Sequence, residues 1–318
     1  MSISFPQSIE AAVAAEGDYR AGGTDLQPRR RDGAASNAII DLRDLPGLAT
    51  IRWEESGATR IGAKVRIATL ATDPALCAAY PGLCAAAYAL ATPQIRTVAT
   101  LGGNLLQRTR CWYFRNPATN CLKKGGHSCL ARNGNHQHGV CFDQGPCIAP
   151  HPSTLGMALL AYEAQVMVHG AEPRTIISLY GDGSDPRRDH LLAPGQLLTS
   201  VLLPPPLANE CAAYKRITGR AHADWPLAEV LVRLVLSEQR VTFARVSVGG
   251  VANTPRRLHL VESELVGRPA TRELFARAAS AATGGVRPLP QTGYKVQLLW
   301  GIVLDTLVAA AQQAAAQS

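Results

Sequence analysis

The chain has 318 residues, 47% of them apolar and 5% aromatic, with 32 Lys and Arg against 24 Asp and Glu for a net charge of +8. At roughly 100–200 residues per domain, that predicts two or three packed units and excludes a disordered chain. The densest basic run, Arg29–Arg31, lies beside Asp32-Gly33 with no aromatic side chains interleaved, which reads as a solvated turn and argues against a single-strand nucleic-acid binder.

In chain order, "PQSIEAAVAAEG" predicts a helix with Ser8 as N-cap and Gly17 as its stop. "NAIIDLRDL" reads as a buried strand, and "ATIRWEESGATRIGAKV" as a hairpin around Ser56-Gly57. "LCAAYPGLCAAAYALAT" predicts helices interrupted at Pro81-Gly82, and "STLGMALLAYEAQVMVHG" a helix followed by a strand. "RTIISLYGDGSDPRRDHLLAPGQLLTSVLLPPPL" carries strand-like runs and ends in Pro204–Pro206, a natural linker. Beyond it, "ARVSVGGVANTPRRL" reads as a strand and a turn, and "ELFARAASAAT" and the last 20 residues as helices. The expectation is an α+β chain divided near residues 204–212. The N-terminus lacks the charged start and long apolar core of a secretory signal, and no apolar run approaches the ~20 residues that span a bilayer. The expected compartment is the cytoplasm, or the periplasm if the chain is exported folded with a signal-bearing partner.

Two glycine pairs stand out. "AGGTDL", Ala21–Leu26, and "TLGGNLL", Thr100–Leu106, each set Gly-Gly beside a small polar residue and apolar neighbours. Such loops expose bare N–H groups that suit phosphate oxygens, though either is also a good turn. Together they suggest the two halves of a pyrophosphate site. No G-x-G-x-x-G follows a strand and no G-x-x-x-x-G-K-[ST] occurs, so a dinucleotide here would not sit on a Rossmann fingerprint or a P-loop.

Eight cysteines are too few for a disulfide scaffold. Cys77, Cys84 and Cys211 read as ordinary core thiols. The other five crowd into a polar segment at positions 111, 121, 129, 141 and 147, which argues for a ligand or redox role. The intervening gaps of nine, seven, eleven and five residues do not give the close C-x₂₋₄-C pairs of structural zinc. An iron–sulfur cluster, whose spacing varies by family, zinc, and free thiols or disulfides all stay open on spacing alone.

Taken in order, "AGGTDL", "RIGA", "TLGGNLLQRTRC", "CIAPHPS" and a distal "YKR…RAHADWPLA" resemble the FAD-binding medium subunit of the molybdenum hydroxylases, the xanthine dehydrogenase and aldehyde oxidase family. The elaborated cysteine loop is most similar to that of the flavin subunits of bacterial periplasmic aldehyde oxidoreductases. The resemblance implies a vanillyl-alcohol-oxidase-type FAD domain of two α/β lobes over residues 1–207, with a cysteine-rich insertion at 108–150. A C-terminal domain of a three-stranded sheet and helices over 208–318 would follow. It implies that Ala21, Gly22, Gly23, Thr24, Asp25 and Leu26, with Thr100, Gly102, Gly103 and Asn104, contact the FAD pyrophosphate. Leu105 and Leu106 would approach the flavin. Lys215 and the Arg220–Asp224 loop, Asp224 included, would lie on its far side. Ser153 and Thr154 would stand near the cofactor, Thr154 replacing a carboxylate usual in the family, with the ribose as its expected contact. A [4Fe–4S] cluster would take Cys111, Cys121, Cys129 and Cys147, leaving Cys141 spare. The subunit would contribute no catalytic residue to hydroxylation. It would pass electrons from a small subunit with two [2Fe–2S] clusters through FAD to an acceptor, while a large subunit holds the molybdenum cofactor and oxidises an aldehyde or N-heterocycle. A stand-alone flavin oxidoreductase and a zinc-stapled interaction protein are the rival expectations.

Overall fold

The computed structural model describes residues 2–317. Its first layer is a small parallel sheet. Strands β1 (Ile3–Ser4), β2 (Asp18–Arg20) and β3 (Ile39–Asp41) pair in the order β1-β3-β2, with α1 (Ile9–Ala14) and α2 (Leu26–Arg31) as connections. Ser8 caps α1 by accepting the Ala11 N–H at 3.2 Å, and the helix ends at Ala14, short of Gly17.

The second unit is built on an antiparallel five-stranded sheet. β4 (Ile51–Trp53) and β5 (Thr59–Gly62) form the expected hairpin. A run of short helices follows: α3 (Ile67–Thr72), α4 (Pro74–Ala79), α5 (Pro81–Ala89), α6 (Pro93–Val98) and α7 (Leu101–Leu105). Proline opens three of them at the position where a missing N–H costs nothing. The cysteine-rich stretch is not featureless: it holds α8 (Trp112–Arg115), a 3₁₀ turn at Leu122–Lys124 and α9 (Leu130–Asn133). Then come α10 (Thr154–Ala161), β6 (Gln165–Val168), β7 (Arg174–Thr175), α11 (Ile176–Tyr180) and β8 (Leu198–Leu203), the sheet order being β4-β5-β8-β6-β7. The "RTIISLY" run is strand for two residues only. Thr175 accepts the Ser178 N–H at 3.1 Å, and this cap turns the β-branched run into α11.

After Pro204–Pro206, strands β9 (Glu210–Thr218), β10 (Pro226–Ser237) and β11 (Arg240–Gly249) make an antiparallel sheet, with the two-residue β12 (Arg256–Arg257) added at its edge. The expected three long strands are present, and β12 is a fourth. Helices α12 (His259–Leu265), α13 (Arg272–Ala281) and α14 (Tyr294–Gln317) cover one face. Among the described residues, α14 is the one helix long and apolar enough to cross a membrane. Its Leu299, Ile302, Val303, Leu307 and Ala310 are instead buried in the core formed with this sheet.

The two sheet systems meet through buried polar groups. Arg233 donates to both oxygens of Glu210 at 2.6 and 3.0 Å and to the Ala161 carbonyl at 2.7 Å, and the Tyr162 hydroxyl donates to Glu210 at 3.0 Å. The end of the cysteine loop is fastened here too: Cys141 and Phe142 lie in the C-terminal core, and the Cys141 N–H donates to the Val251 carbonyl at 2.9 Å.

Candidate functional site

A cavity of about 460 Å³ opens between the small parallel sheet, α7 and the segment 187–198. Ala21, Gly22, Gly23, Thr24, Asp25, Leu26, Thr100, Gly102, Gly103 and Leu106 line it. The two Gly-Gly segments play different parts. In the first, the chain leaves β2 and turns through Gly23 at φ +70°, a conformation that favours glycine. Among the described residues, the N–H groups of Gly22, Gly23 and Thr24 have no acceptor within the protein. Gly22 can carry no side chain, because a Cβ there would meet the Val98 carbonyl oxygen at 1.9 Å. The second pair lies inside α7, where the amides are already used. The Gly102 N–H donates to the Ala63 carbonyl at 2.8 Å, and the Gly103 N–H to the capping Thr100 hydroxyl at 3.2 Å. This pair therefore contributes close approach of backbone to the cavity rather than open donors.

Asp25 sits at the cavity wall with its side chain 12% exposed, facing three guanidinium groups: Arg115 at 2.7 Å, Arg29 at 3.1 Å and Arg110 at 3.2 Å. It also accepts the Arg108 N–H at 3.1 Å. Burial alone would raise its carboxyl, but Arg110, Arg115 and Arg29 outweigh that and hold it below its usual value. One carboxylate against three cations leaves a local surplus of positive charge. Burial, with repulsion from Arg115 and Arg29, brings even the Arg110 guanidinium down to about 10. Arg110 also stacks over Trp225 of the β9–β10 turn, 4.4 Å from the ring centre. Open amides and surplus cations form a donor set suited to a diphosphate, and the cavity is of the size small cofactors occupy. The residues present therefore fit an FAD.

On the far wall a second carboxylate, Asp189, is buried. Arg108 Nε donates to it at 2.6 Å, the Thr109 N–H at 3.2 Å, and Lys123 Nζ lies 2.9 Å away. Burial opposes its charge, but Lys123 and Arg108 hold its carboxyl down to about 2. His190, beside it on the cavity wall, has a buried Nδ1 with no hydrogen-bond partner, and burial, then Arg108, lowers the ring to about 4. Behind Asp189 a smaller cavity of about 100 Å³ is lined by Lys123, Cys147 and Asn253 among others. Asp189 thus stands between the large cavity and the cysteine loop.

Four of the loop thiols interact with one another. Cys129 and Cys147 share a hydrogen bond, which with nearby backbone amides brings Cys129 down to about 5. Burial raises the Cys111 thiol, and the charges of Cys129 and Cys121 add to the rise. Cys141 belongs to another neighbourhood, where burial raises its thiol to about 11 against the opposing pull of Lys295 and Arg256. Among the described residues, no three His, Cys, Asp or Glu side chains converge on one ion position, which does not favour single-ion zinc. A cube of four irons needs no such convergence, since each thiolate meets its own iron.

Several expected residues lie elsewhere. Asn104 Oδ1 accepts from Ser153 Oγ at 2.8 Å and the Leu155 N–H at 3.2 Å, so Asn104 and Ser153 tie α7 to α10. Leu105 is fully buried. Thr154 does not reach the cavity: its hydroxyl donates at 2.9 Å to Glu229, to which Tyr214 also donates at 2.6 Å. A carboxylate at 154 would face that of Glu229, so the ribose role expected of it has no support here. Lys215 is exposed on β9, and Asp224 closes the β9–β10 turn by accepting the Ala221 N–H at 3.2 Å. Spacing did not bring forward Arg108, Arg115, Lys123, Asp189 or His190. Each sits in a polar stretch that reads as solvated surface.

Comparison with known proteins agrees with this geometry. The model of the FAD binding domain in molybdopterin dehydrogenase matches residues 4–206, and that of the CO dehydrogenase flavoprotein C-terminal domain matches 212–299. The aldehyde oxidoreductase FAD-binding subunit PaoB of Escherichia coli K12 is 34% identical over 268 residues, covering 80% of this chain and 82% of its own. The nicotine 6-hydroxylase medium subunit of Paenarthrobacter nicotinovorans is 28% identical over 89% of this chain and 85% of its own. In fold, the chain is similar to carbon monoxide dehydrogenase from Hydrogenophaga pseudoflava, with a TM-score of 0.75 at 24% identity over 97% and 96% of the two chains.

Proposed function

The chain belongs to the FAD-binding subunits of the molybdenum hydroxylase family, and from that premise we propose that it holds one FAD in the cavity beside Asp25 as the electron-transfer flavoprotein of a three-subunit oxidoreductase. The observation that carries this reading is the set of open Gly22–Thr24 amides beside three arginines that share one carboxylate. The amides and cations would hold the diphosphate, Gly103 and Leu106 would admit the cofactor along α7, and Asp189 would fix Arg108 at the rim. When bound, the flavin supplies a centre that takes electrons singly and passes them on singly or in pairs.

A large subunit with the molybdenum cofactor and a small subunit with two [2Fe–2S] clusters are the partners this role requires. An aldehyde is the substrate class favoured by the Escherichia coli relative's name, with an N-heterocycle second. We assign the FAD-binding domain to 1–207 and the C-terminal domain to 208–318. The prolines between β8 and β9 and the gap between the two family matches support that division. We place the complex in the cytoplasm, with export alongside a signal-bearing partner as the alternative.

A [4Fe–4S] cluster on Cys111, Cys121, Cys129 and Cys147 completes the proposal. Its support is the hydrogen bond between Cys129 and Cys147, the charges of Cys129 and Cys121 felt at Cys111, the readiness of Cys129 to ionise, and the nearby charges of Lys123 and Arg132. The test is the cofactor content of the chain co-purified with its partners. One FAD with about four iron and four sulfide per chain supports the whole proposal. FAD without iron removes the cluster, and zinc without FAD overturns both.

A further inference from the structure

The large cavity carries two cationic groups, and a diphosphate accounts for one of them. Beside the open Gly22–Thr24 amides, Arg29, Arg110 and Arg115 share Asp25. On the far wall, Arg108 and Lys123 share Asp189, again with more positive charge than negative. Arg108 is fixed at several points. Its Nε donates to Asp189 Oδ2 at 2.6 Å and its Nη2 to the Arg187 carbonyl at 3.0 Å. The Phe114 ring centre lies 4.9 Å from its Cζ. Its backbone is tied as well, the N–H donating to Asp25 and the carbonyl accepting from Arg115 Nη2 at 2.9 Å. One nitrogen is left over. Among the described residues Nη1 meets no acceptor, and it is not sealed from solvent. Arg108 borders the cavity with its side chain 25% exposed.

A guanidinium with two nitrogens anchored and the third open at a cavity wall is preorganised to meet charge. Oxidised FAD carries its charge on the diphosphate. A second centre of negative charge arises when the ring system takes up two electrons and one proton at N5, because the N1–C2 carbonyl edge is then anionic. On the reading that FAD occupies this cavity, we propose that Arg108 is the residue that stabilises this charge and so sets the flavin's potential. Arg108 gives and takes no electron. The two electrons come from the small subunit's clusters and leave to the acceptor. Arg108 also gives no proton, since a guanidinium does not deprotonate in a protein. It therefore favours a reduced flavin holding one added proton rather than two. This goes beyond holding the cofactor, which the Asp25 group and the amides do.

The test is a redox titration of the purified complex without air, read at the flavin absorbance and repeated across pH. In the wild-type complex the midpoint should fall by about 30 mV per pH unit between about pH 5.5 and 7, the slope of one proton per two electrons. A slope of about 60 mV per unit there means two protons and would overturn the proposal. The groups around Arg108 do not blur this reading. Asp189 and Asp25 are held ionised, burial keeps His190 neutral down to about pH 4, and the other neighbours are the cations Arg29, Arg115, Arg187 and Lys123. Arg108→Gln should keep one oxidised FAD per chain, since Lys123 and the Thr109 N–H still hold Asp189. It should favour the reduced form at least about tenfold less, which lowers the midpoint by about 30 mV for each factor of ten. An unchanged midpoint in a fully flavinylated variant would overturn the role of Arg108 and leave the cofactor site standing. Equal weakening of oxidised and reduced FAD would assign Arg108 to the diphosphate and overturn it too. A wild-type complex without FAD would instead remove the cofactor site itself.

Discussion

Gly22 and the loop thiols are where single atoms decide the outcome. At Gly22 the obstacle is backbone, the Val98 carbonyl, so no rotamer change can make room. Gly22→Ala should displace the loop and weaken FAD binding at least tenfold, read by flavin fluorescence titration. Full-strength binding would show that the loop's position does not matter. Among the thiols, Cys129→Ser should lose most iron and sulfide and keep the flavin. Cys141→Ser, whose neighbours are Lys295 and Arg256, should keep both. Equal iron loss in the two variants would remove the distinction between them. His151 supplies a pH signature. Fully buried, with desolvation as the main cause, its ring falls to about 4, while an unfolded imidazole titrates near 6.5. Between those values the unfolded state binds more protons. Stability should therefore fall as pH drops from about 6.5 to 4, by roughly 3 kcal/mol from this ring. In urea midpoints measured against pH, His151→Gln should flatten that stretch of the curve. Asp189 acts lower on the scale. Its depressed carboxyl supports the fold above about pH 4, and that support is lost as pH falls toward 2.

At the scale of elements, α10 is held by what its first turn meets. Thr154 and Tyr214 both donate to Glu229, whose carboxyl burial pushes up. Thr154→Asp replaces a donor with a second acid in a dry site. It should cost about 2–4 kcal/mol in urea-measured stability at pH 7, with much of the loss recovered near pH 4. A neutral effect at pH 7 would mean the position is wetter than it looks. The same helix shows what sequence could and could not convey. Its existence is plain from the apolar run. The direction in which Thr154 points was not legible, because Glu229 lies 75 residues away and nothing local announces it. Likewise "TLGGNLL" resembles "AGGTDL" as a string, yet the Thr100 cap winds it into α7 and consumes its amides. Arg108, Lys123 and Asp189 were invisible for the same reason. Each is an unremarkable polar residue until folding brings the ends of an 81-residue separation to 2.6 Å.

In the whole molecule, the C-terminal sheet carries a buried ion pair, Arg233 with Glu210, whose side chains are 4% and 3% exposed and which reaches the first domain through the Ala161 carbonyl and the Tyr162 hydroxyl. Removing one partner strands the other. Arg233→Leu should destabilise by about 3–5 kcal/mol, and the double variant Arg233→Leu, Glu210→Leu should recover most of it. Denaturation followed at once by tryptophan and flavin fluorescence would check this, and failure of the second change to rescue the first would place the cost in packing rather than charge. The broad architecture was readable because alternation and proline placement are local signals. The way the cysteine insertion plugs into the C-terminal core through Cys141 and Phe142 was not, since that docking depends on the Val251 carbonyl and Arg287.

Asp189 gives this arrangement a consequence for how the protein matures in a cell. Its carboxylate holds Lys123 from the cysteine-rich insertion with one oxygen and Arg108 at the flavin rim with the other. If the insertion carries the proposed cluster, one left slack for want of iron would release Lys123, loosen Asp189, and leave the flavin rim unset. If the proposed cluster is present, iron starvation would then yield a yellow subunit rather than a brown one, making the supply of one nutrient a control on how firmly the other cofactor is held.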